Sequence, residues 1–308
     1  MKKSVKIFAP ATVANVGPGF DVLGLCLEAP GDILEVRLND TGELKIINEA
    51  TGINLPTQPE KNCASVSISV MLNRLKSKQG FDLIFKEKIK PGSGVGSSAA
   101  SAAGAVYGAN LLLGEPFTRK ELVEFAMYGE QAIDGALHAD NVAPCLLGNF
   151  ILISNNIPLR IVEIPAPADL HITVVHPQIE LRTEVSRAVI KKHVAFSDAV
   201  KQAGNLAGMI AGLYTNDLNL IGNSMKDHLV EPHRSVLIPG FQKAKEYAVE
   251  CGAIGCSISG AGPSVFAFSK SPAEAKKIAV KWSDLYHKLE IDAKVFVSKV
   301  DRQGVREI

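Results

Sequence analysis

The segment PGSGVGSSAAS, residues 91–101, constrains this chain more than any other. Gly92, Gly94 and Gly96 fall within five residues, and Ser97 and Ser98 lead into a run of alanine. Upstream, Leu83–Lys88 reads as a strand. Downstream, Ala99–Leu113 reads as a buried helix of small residues stopped by Gly114. Glycines let backbone N–H groups come close to a ligand. The first turn of a helix offers unpaired N–H groups and the positive end of its dipole. Such a loop suits an anion, and phosphate above all. The two serines add hydroxyls that can bond phosphate or ligate a hard cation such as Mg²⁺. The plain alternative is a flexible Gly/Ser connection ending in an ordinary N-cap.

Three familiar loops do not match. A Walker loop needs lysine after its last glycine, and Ser97 stands there. The dinucleotide pattern G-x-G-x-x-G fails at Ser97 when counted from Gly92, and at Ala99 when counted from Gly94. A hydrolase elbow needs a glycine where Ala100 stands. The formal net charge is +1, so no strong field draws the chain to nucleic acid or to an anionic membrane. Any anion must be caught by local groups. Five cysteines occur, at 26, 63, 145, 251 and 256, without a C-x-x-C pair. They read as buried free thiols of a reducing, cytoplasmic protein. The N-terminal apolar run stops at Pro10, too short for a signal-peptide core.

The first third is strand-rich, with Val5–Ala9, Ile33–Leu38 and Leu44–Ile47 joining Leu83–Lys88. Asn62–Lys76 and Thr118–Glu130 have helical spacing, and Thr118 with Glu121 stands at the capping-box offset. Residues 154–169 carry three prolines and read as the approach to a second domain. Beyond lie a strand at Leu170–His176 and helices around Thr183–His193, at 197–213 and at Pro239–Cys251. A glycine-rich turn at 259–262, strand Val265–Ser269, helix Pro272–Leu289 and strand Ala293–Val300 follow. The alternation favours a layered α+β or α/β second domain.

The order Pro-x3-Gly-x-Gly-Ser-Ser-Ala resembles the phosphate loop of the GHMP kinases, which hold a triphosphate without the Walker lysine. PATVANVGPGFDVLGLCL (10–27) and SISGAGPSVFAF (257–268) agree with that superfamily's order. Within it, ANVGPGFDVLGLCL, HADNVAPCLLGN (138–149), EPHRSVLIPGF (231–241) and LRTEVSRAVI (181–190) resemble the homoserine kinase family. The resemblance runs in order from residue 5 to about residue 300.

It implies an α+β fold of two domains. Residues 1–160 would form a βαβ-rich, ATP-binding domain with the glycine-serine loop. Residues 161–308 would form a ferredoxin-like C-terminal domain, with the substrate site at the interface. It implies ATP, Mg²⁺ and L-homoserine as ligands, O-phospho-L-homoserine as product on the route to threonine, and a family whose members often pair as homodimers. Loop residues Pro91, Gly92, Ser93, Gly94, Val95, Gly96, Ser97 and Ser98 would seat the phosphates. Asn62 falls where the adenine side begins, with N-cap of the 62–76 helix as its other reading. Ser98 and Glu130 would hold Mg²⁺.

Asn15 and Asp21 match positions for the substrate's amino end, Arg187 and Arg234 positions for its carboxylate. Gly260 would let backbone approach the substrate, and Thr183 lies near the reacting hydroxyl. Asn141 stands at the hydroxyl where mevalonate-type relatives carry a catalytic aspartate. An amide is no useful base at neutral pH, so the expectation is direct in-line transfer without a strong general base. A guanidinium suits a carboxylate in any case. His138 and Asp140 are expected to be structural, because no second His lies at metal-ligand spacing. Asn149 departs from the family, which usually has glycine there. Other readings are a related kinase for a different alcohol, a non-catalytic sensor of ATP or an amino acid, and a serine hydrolase.

Overall fold

A computed structural model describes residues 2–135, 137–179, 181 and 183–308, the side chains of 133, 134 and 183 excepted. The chain opens with β1 (Ser4–Ala14), β2 (Leu23–Asn39) and β3 (Leu44–Asn48). Next come α1 (Cys63–Leu75), β4 (Gly80–Glu87), α2 (Ser97–Leu112), α3 (Arg119–Asp134), α4 (Val142–Leu147), β5 (Phe150–Asn156) and β6 (Leu159–Ile164). The second half holds β7 (His171–Pro177), α5 (Thr183–Ala188), α6 (Phe196–Thr215), α7 (Leu218–Ser224), α8 (Glu231–Arg234), α9 (Phe241–Glu250), β8 (Gly255–Ile258), β9 (Val265–Ser269), α10 (Pro272–Lys288), β10 (Ala293–Lys299) and β11 (Arg306–Glu307).

Two sheets result. The first runs β11-β1-β2-β4-β3, with β5 paired to the start of β2 and to β6. β2 has 17 residues, of which the alternation of 33–38 revealed only the far end. Pro30 and Gly31 hid the rest. The pairing of β1 with β2 shifts register between Pro10 and Thr12, the irregularity at which an internal proline can be tolerated. The second sheet runs β10-β7-β9-β8, all antiparallel. With helices after its first and third strands, this is the split β-α-β pattern of a ferredoxin-like layer.

Residues 154–169 are not simply a linker. Their first part is the β5–β6 hairpin, with Pro158 at its turn. The expected division at 160/161 falls inside β6, a strand of the first sheet. β11 later returns to pair with β1, so the first sheet also takes the end of the chain.

Helix α2 explains why the run after the loop is so small. Thirteen of its residues are buried, and it packs on β1 and β2 as well as on α1 and α3. A Cβ on Gly108 would lie 2.6 Å from Val36 Cγ2, and one on Gly104 3.1 Å from Ala9 Cβ. Alanine and glycine thus bring the helix axis close to the sheet and fix where its N-terminus points. One core joins the two sheets: Phe268 of β9 meets Phe150 of β5 edge to face at 6.1 Å. The outer face of the second sheet carries a smaller core with Trp282, Phe241 and Tyr286 under α9 and α10.

Candidate active site

A cavity of about 330 Å³ opens where the N-terminus of α2 faces the 259–262 turn. Its lining brings together Asn15, Asp21, Asn62, Pro91, Gly92, Ser93, Gly94, Gly96, Ser97, Ser98, Glu130, Asn141, Arg187, Arg234 and Gly260. Val95 is the loop residue that turns away, its side chain packed in the main core. Thr183 opens α5, but its side chain lies outside the described residues, as does Arg182.

At the loop, α2 starts two residues earlier than its alanine run, and Gly96 is its N-cap at φ +68°. A Cβ there would meet Thr12 Oγ1 at 2.0 Å, so only glycine fits. Ser97 lines the cavity, but its hydroxyl proton is already spent within the protein. Its hydroxyl donates to the Ile89 carbonyl at 2.7 Å and accepts from Lys88 Nζ at 2.6 Å. Ser98 does face the acid expected of it, donating to both carboxylate oxygens of Glu130 at 2.5 Å. Glu130 is buried and reaches the loop from the last turns of α3.

Lys88 is the residue that sequence reasoning missed. The loop has no lysine, yet this one reaches the first turn of α2 and borders the same cavity, its side chain 2% exposed. It pairs with fully buried Asp32 at 2.8 Å. Burial pushes the Asp32 carboxyl up, while Lys88, the Ile89 N–H and the Ser101 hydroxyl pull it back. Lys86, Lys88 and Lys90 alternate in the sequence at the end of β4 and just beyond it, so spacing alone could not single out the buried one.

At the other end, Asn15 (φ +58°) and Asp21 (φ +57°) both hold the left-handed backbone conformation, which Asn and Asp tolerate better than most residues. Asn15 takes the Asp21 N–H on Oδ1 at 2.8 Å and donates to the Gly260 carbonyl at 3.0 Å. Expected to hold opposite ends of a ligand, Asp21 and Arg187 instead bond each other in two parallel contacts of 3.1 Å. Arg234 is 2% exposed and donates to the carbonyls of Ser186 and Gly260, each at 3.0 Å. Burial, with Arg187 beside it, pushes its guanidinium down to about 10. Both arginines lean on the Phe20 ring, at 5.6 and 5.1 Å. Two cations held this close in a half-dry site make a seat for an anion.

Between the two ends lies Asn141, whose Oδ1 accepts the Thr12 hydroxyl at 2.7 Å. With its oxygen occupied, its amide N–H groups are the polar atoms left for a ligand. His138 and Asp140, expected to be structural, line the same cavity. His138 Nδ1 lies 3.5 Å from Asp140 Oδ1, and that oxygen and His138 Nε2 have no hydrogen-bond partner among the described residues. Burial pushes the Asp140 carboxyl up to about 6, against the pull of His138 and with the push of Asp21. Asn62 caps α1, its Oδ1 accepting the Ala64 N–H at 3.1 Å, while it also borders the cavity. Asn149 sits at φ +58°, a left-handed conformation that glycine adopts freely and asparagine tolerates.

The model of the GHMP kinases N terminal domain matches residues 62–149, and that of the GHMP kinases C terminal matches residues 209–288. The homoserine kinase of Chlorobium phaeobacteroides (strain BS1) is 44% identical over 99% of this chain and 100% of its own. That of Chloroherpeton thalassium is 43% identical over 99% of each. A crystal structure of homoserine kinase from Cytophaga hutchinsonii superposes with a TM-score of 0.96 at 48% identity, covering 100% of this chain and 98% of that one. The L. major mevalonate kinase structure shares the fold, with a TM-score of 0.73 at 15% identity.

Proposed function

The chain belongs to the homoserine kinase family of the GHMP kinases, and on that premise we propose that it transfers the γ-phosphoryl group of ATP to the hydroxyl of L-homoserine. One observation carries the reading. A single cavity holds a phosphate loop at one end and, at the other, two arginines beside two carboxylates, Asp21 and Asp140. Homoserine is a zwitterion with a primary hydroxyl, so it needs both charges answered at one end and a phosphoryl donor at the other. An isoprenoid alcohol has no ammonium to occupy the carboxylates.

The loop amides and the α2 N-terminus neutralise the phosphates. Arg187 and Arg234 take the substrate carboxylate. Arg234 Nη2 donates to no group among the described residues and can serve it. Asn15 and Asp21 face the ammonium. Asn141 donates an amide N–H to the attacking oxygen and orients it. That oxygen forms the new O–P bond as the bridging O–P bond breaks, and ADP leaves with the electron pair. The proton departs late, to the transferred phosphoryl or to water, because positioning and charge neutralisation supply most of such a rate enhancement.

Ser98 and Glu130 are the residues that would hold Mg²⁺. Their oxygens converge beside the loop, and a hard cation that keeps several waters asks few ligands of the protein. When bound, the ion neutralises phosphate charge. Among the described residues no group of three His, Cys, Asp or Glu could hold a metal ion. No described helix is long and apolar enough to cross a membrane.

The test is turnover of purified protein with ATP and Mg²⁺ against homoserine, mevalonate, shikimate and serine. A marked preference for homoserine is expected, and its absence refutes the assignment. Glu130→Gln is expected to lower kcat by about a hundred-fold or more. Unchanged turnover would remove Glu130 from the magnesium site.

A further inference from the structure

A loop that binds phosphate through amides alone must keep its carbonyl oxygens out of the way. Five consecutive carbonyls of this loop are each bound to a donor. Ser93 O accepts from the Ser264 hydroxyl at 2.5 Å, and Gly94 O from the Ser259 hydroxyl at 2.7 Å. Val95 O takes the Thr12 N–H at 3.2 Å, Gly96 O the Ala100 N–H at 2.9 Å, and Ser97 O the Lys88 ammonium at 2.6 Å. In a planar trans peptide the C=O of one residue and the N–H of the next point in opposite directions. Tying down the carbonyls of Ser93, Gly94 and Val95 therefore aims the N–H groups of Gly94, Val95 and Gly96 the other way. Those three N–H groups donate to nothing among the described residues.

The two serines belong to the second half of the chain. Both are fully buried and flank the glycine turn. The fit is backbone against backbone. A Cβ on Gly94 would lie 2.6 Å from Gly262 O and 2.7 Å from Ser259 O. Neither hydroxyl is among the groups that line the cavity, so neither touches a ligand.

We propose that Ser259 and Ser264 are positioning residues for the nucleotide: their hydroxyls hold the Ser93 and Gly94 carbonyls away, and so preset the loop amides for phosphate. The same turn carries the acceptor side. Gly260 O is shared by Asn15 and Arg234, and Ala261 O accepts the Ser186 hydroxyl at 2.7 Å. The inference rests on the kinase reading above only in taking the loop's ligand to be a nucleotide.

The experiment is calorimetric titration of ADP and a non-hydrolysable ATP analogue, with Mg²⁺ and without homoserine, into wild type, Ser259→Ala and Ser264→Ala. Each variant is expected to bind on the order of ten-fold more weakly, since a freed buried carbonyl can turn toward the phosphates. The homoserine KM at saturating ATP should stay within about two-fold of wild type. Nucleotide affinity equal to wild type in the folded variants, with only a lowered Tm, overturns the inference. If one variant fails to fold, the other decides. A wild type that binds no nucleotide refutes the kinase reading instead, so the two failures are distinct.

Discussion

Asp140 carries its charge under strain. Its carboxyl is buried and pushed up to about 6, whereas an aspartate in an unfolded chain titrates near ~3.9. His138, Asp21, Arg187 and Arg234 are the charged groups that face it. A raised folded value favours the protonated form. Its contribution to stability is therefore fully present below about pH 4 and is lost as pH rises through about 6. Above that, the folded protein bears roughly 2 to 3 kcal/mol for the buried carboxylate. Asp140→Asn is expected to raise stability by that order at pH 7 to 8 and to leave it unchanged near pH 4. Denaturant titrations of both proteins across this range read the difference, and parallel pH profiles would refute it. In the sequence Asp140 was visible only as part of a family segment. Its backbone packs tightly on Gly24 of β2, where a Cβ would stand 1.8 Å from the Asp140 carbonyl. Nothing within ten residues of Asp140 announces that contact.

The loop and α2 form the element on which the site turns. Strand, glycines and small helix were legible because the pattern changes from period two to an unbroken small-residue run. The capping role of Gly96 was not, because a glycine that ends a loop reads the same whether or not it caps the next helix. Gly96→Ala places an L-residue at φ +68° with its Cβ 2.0 Å from Thr12 Oγ1 and 3.0 Å from Asn141 Oδ1. Left-handed strain and overpacking together amount to about 2 to 4 kcal/mol. The variant is expected to melt lower and to bind nucleotide at least about ten-fold more weakly. A variant with native melting and native ADP affinity would show that the loop tolerates a displaced Thr12. The hairpin of β5 and β6 illustrates the opposite case. Its prolines and asparagines read as the approach to a second domain, because a strand pair with a proline in its turn has the composition of a loop. Pairing with β2, set by tertiary contact, makes it a sheet edge.

Across the whole molecule, the two sheets share one core, and the cavity sits where the loop of one half meets the turn of the other. Phe268 bridges to Phe150 at 6.1 Å and to Phe266 at 5.1 Å. Truncating this fully buried ring in Phe268→Ala is expected to cost about 3 to 5 kcal/mol. Calorimetry should still show a single transition, because the shared core couples the halves. Two separated transitions in wild type would mean that they unfold independently. Folding of this kind joins residues far apart in the chain: Arg187 to Asp21, Ser264 to Ser93, Asn141 to Thr12.

Local chemistry written in the sequence marked the glycine-serine loop, most of the longer elements and the family to which Asn15, Asp21, Glu130, Asn141, Arg187 and Arg234 point. These signals reside in neighbouring residues: glycine spacing, capping pairs, alternation and short motifs. Tertiary structure alone decided which polar groups stay unspent. It tied the Ser97 hydroxyl to Ile89 and Lys88, buried Lys88 against Asp32, paired Asp21 with Arg187 and left Asp140 Oδ1 without a hydrogen-bond partner among the described residues. The reason is physical. A hydrogen bond or a desolvation penalty depends on which groups meet in space and how much water they lose, and the linear order of residues encodes neither directly.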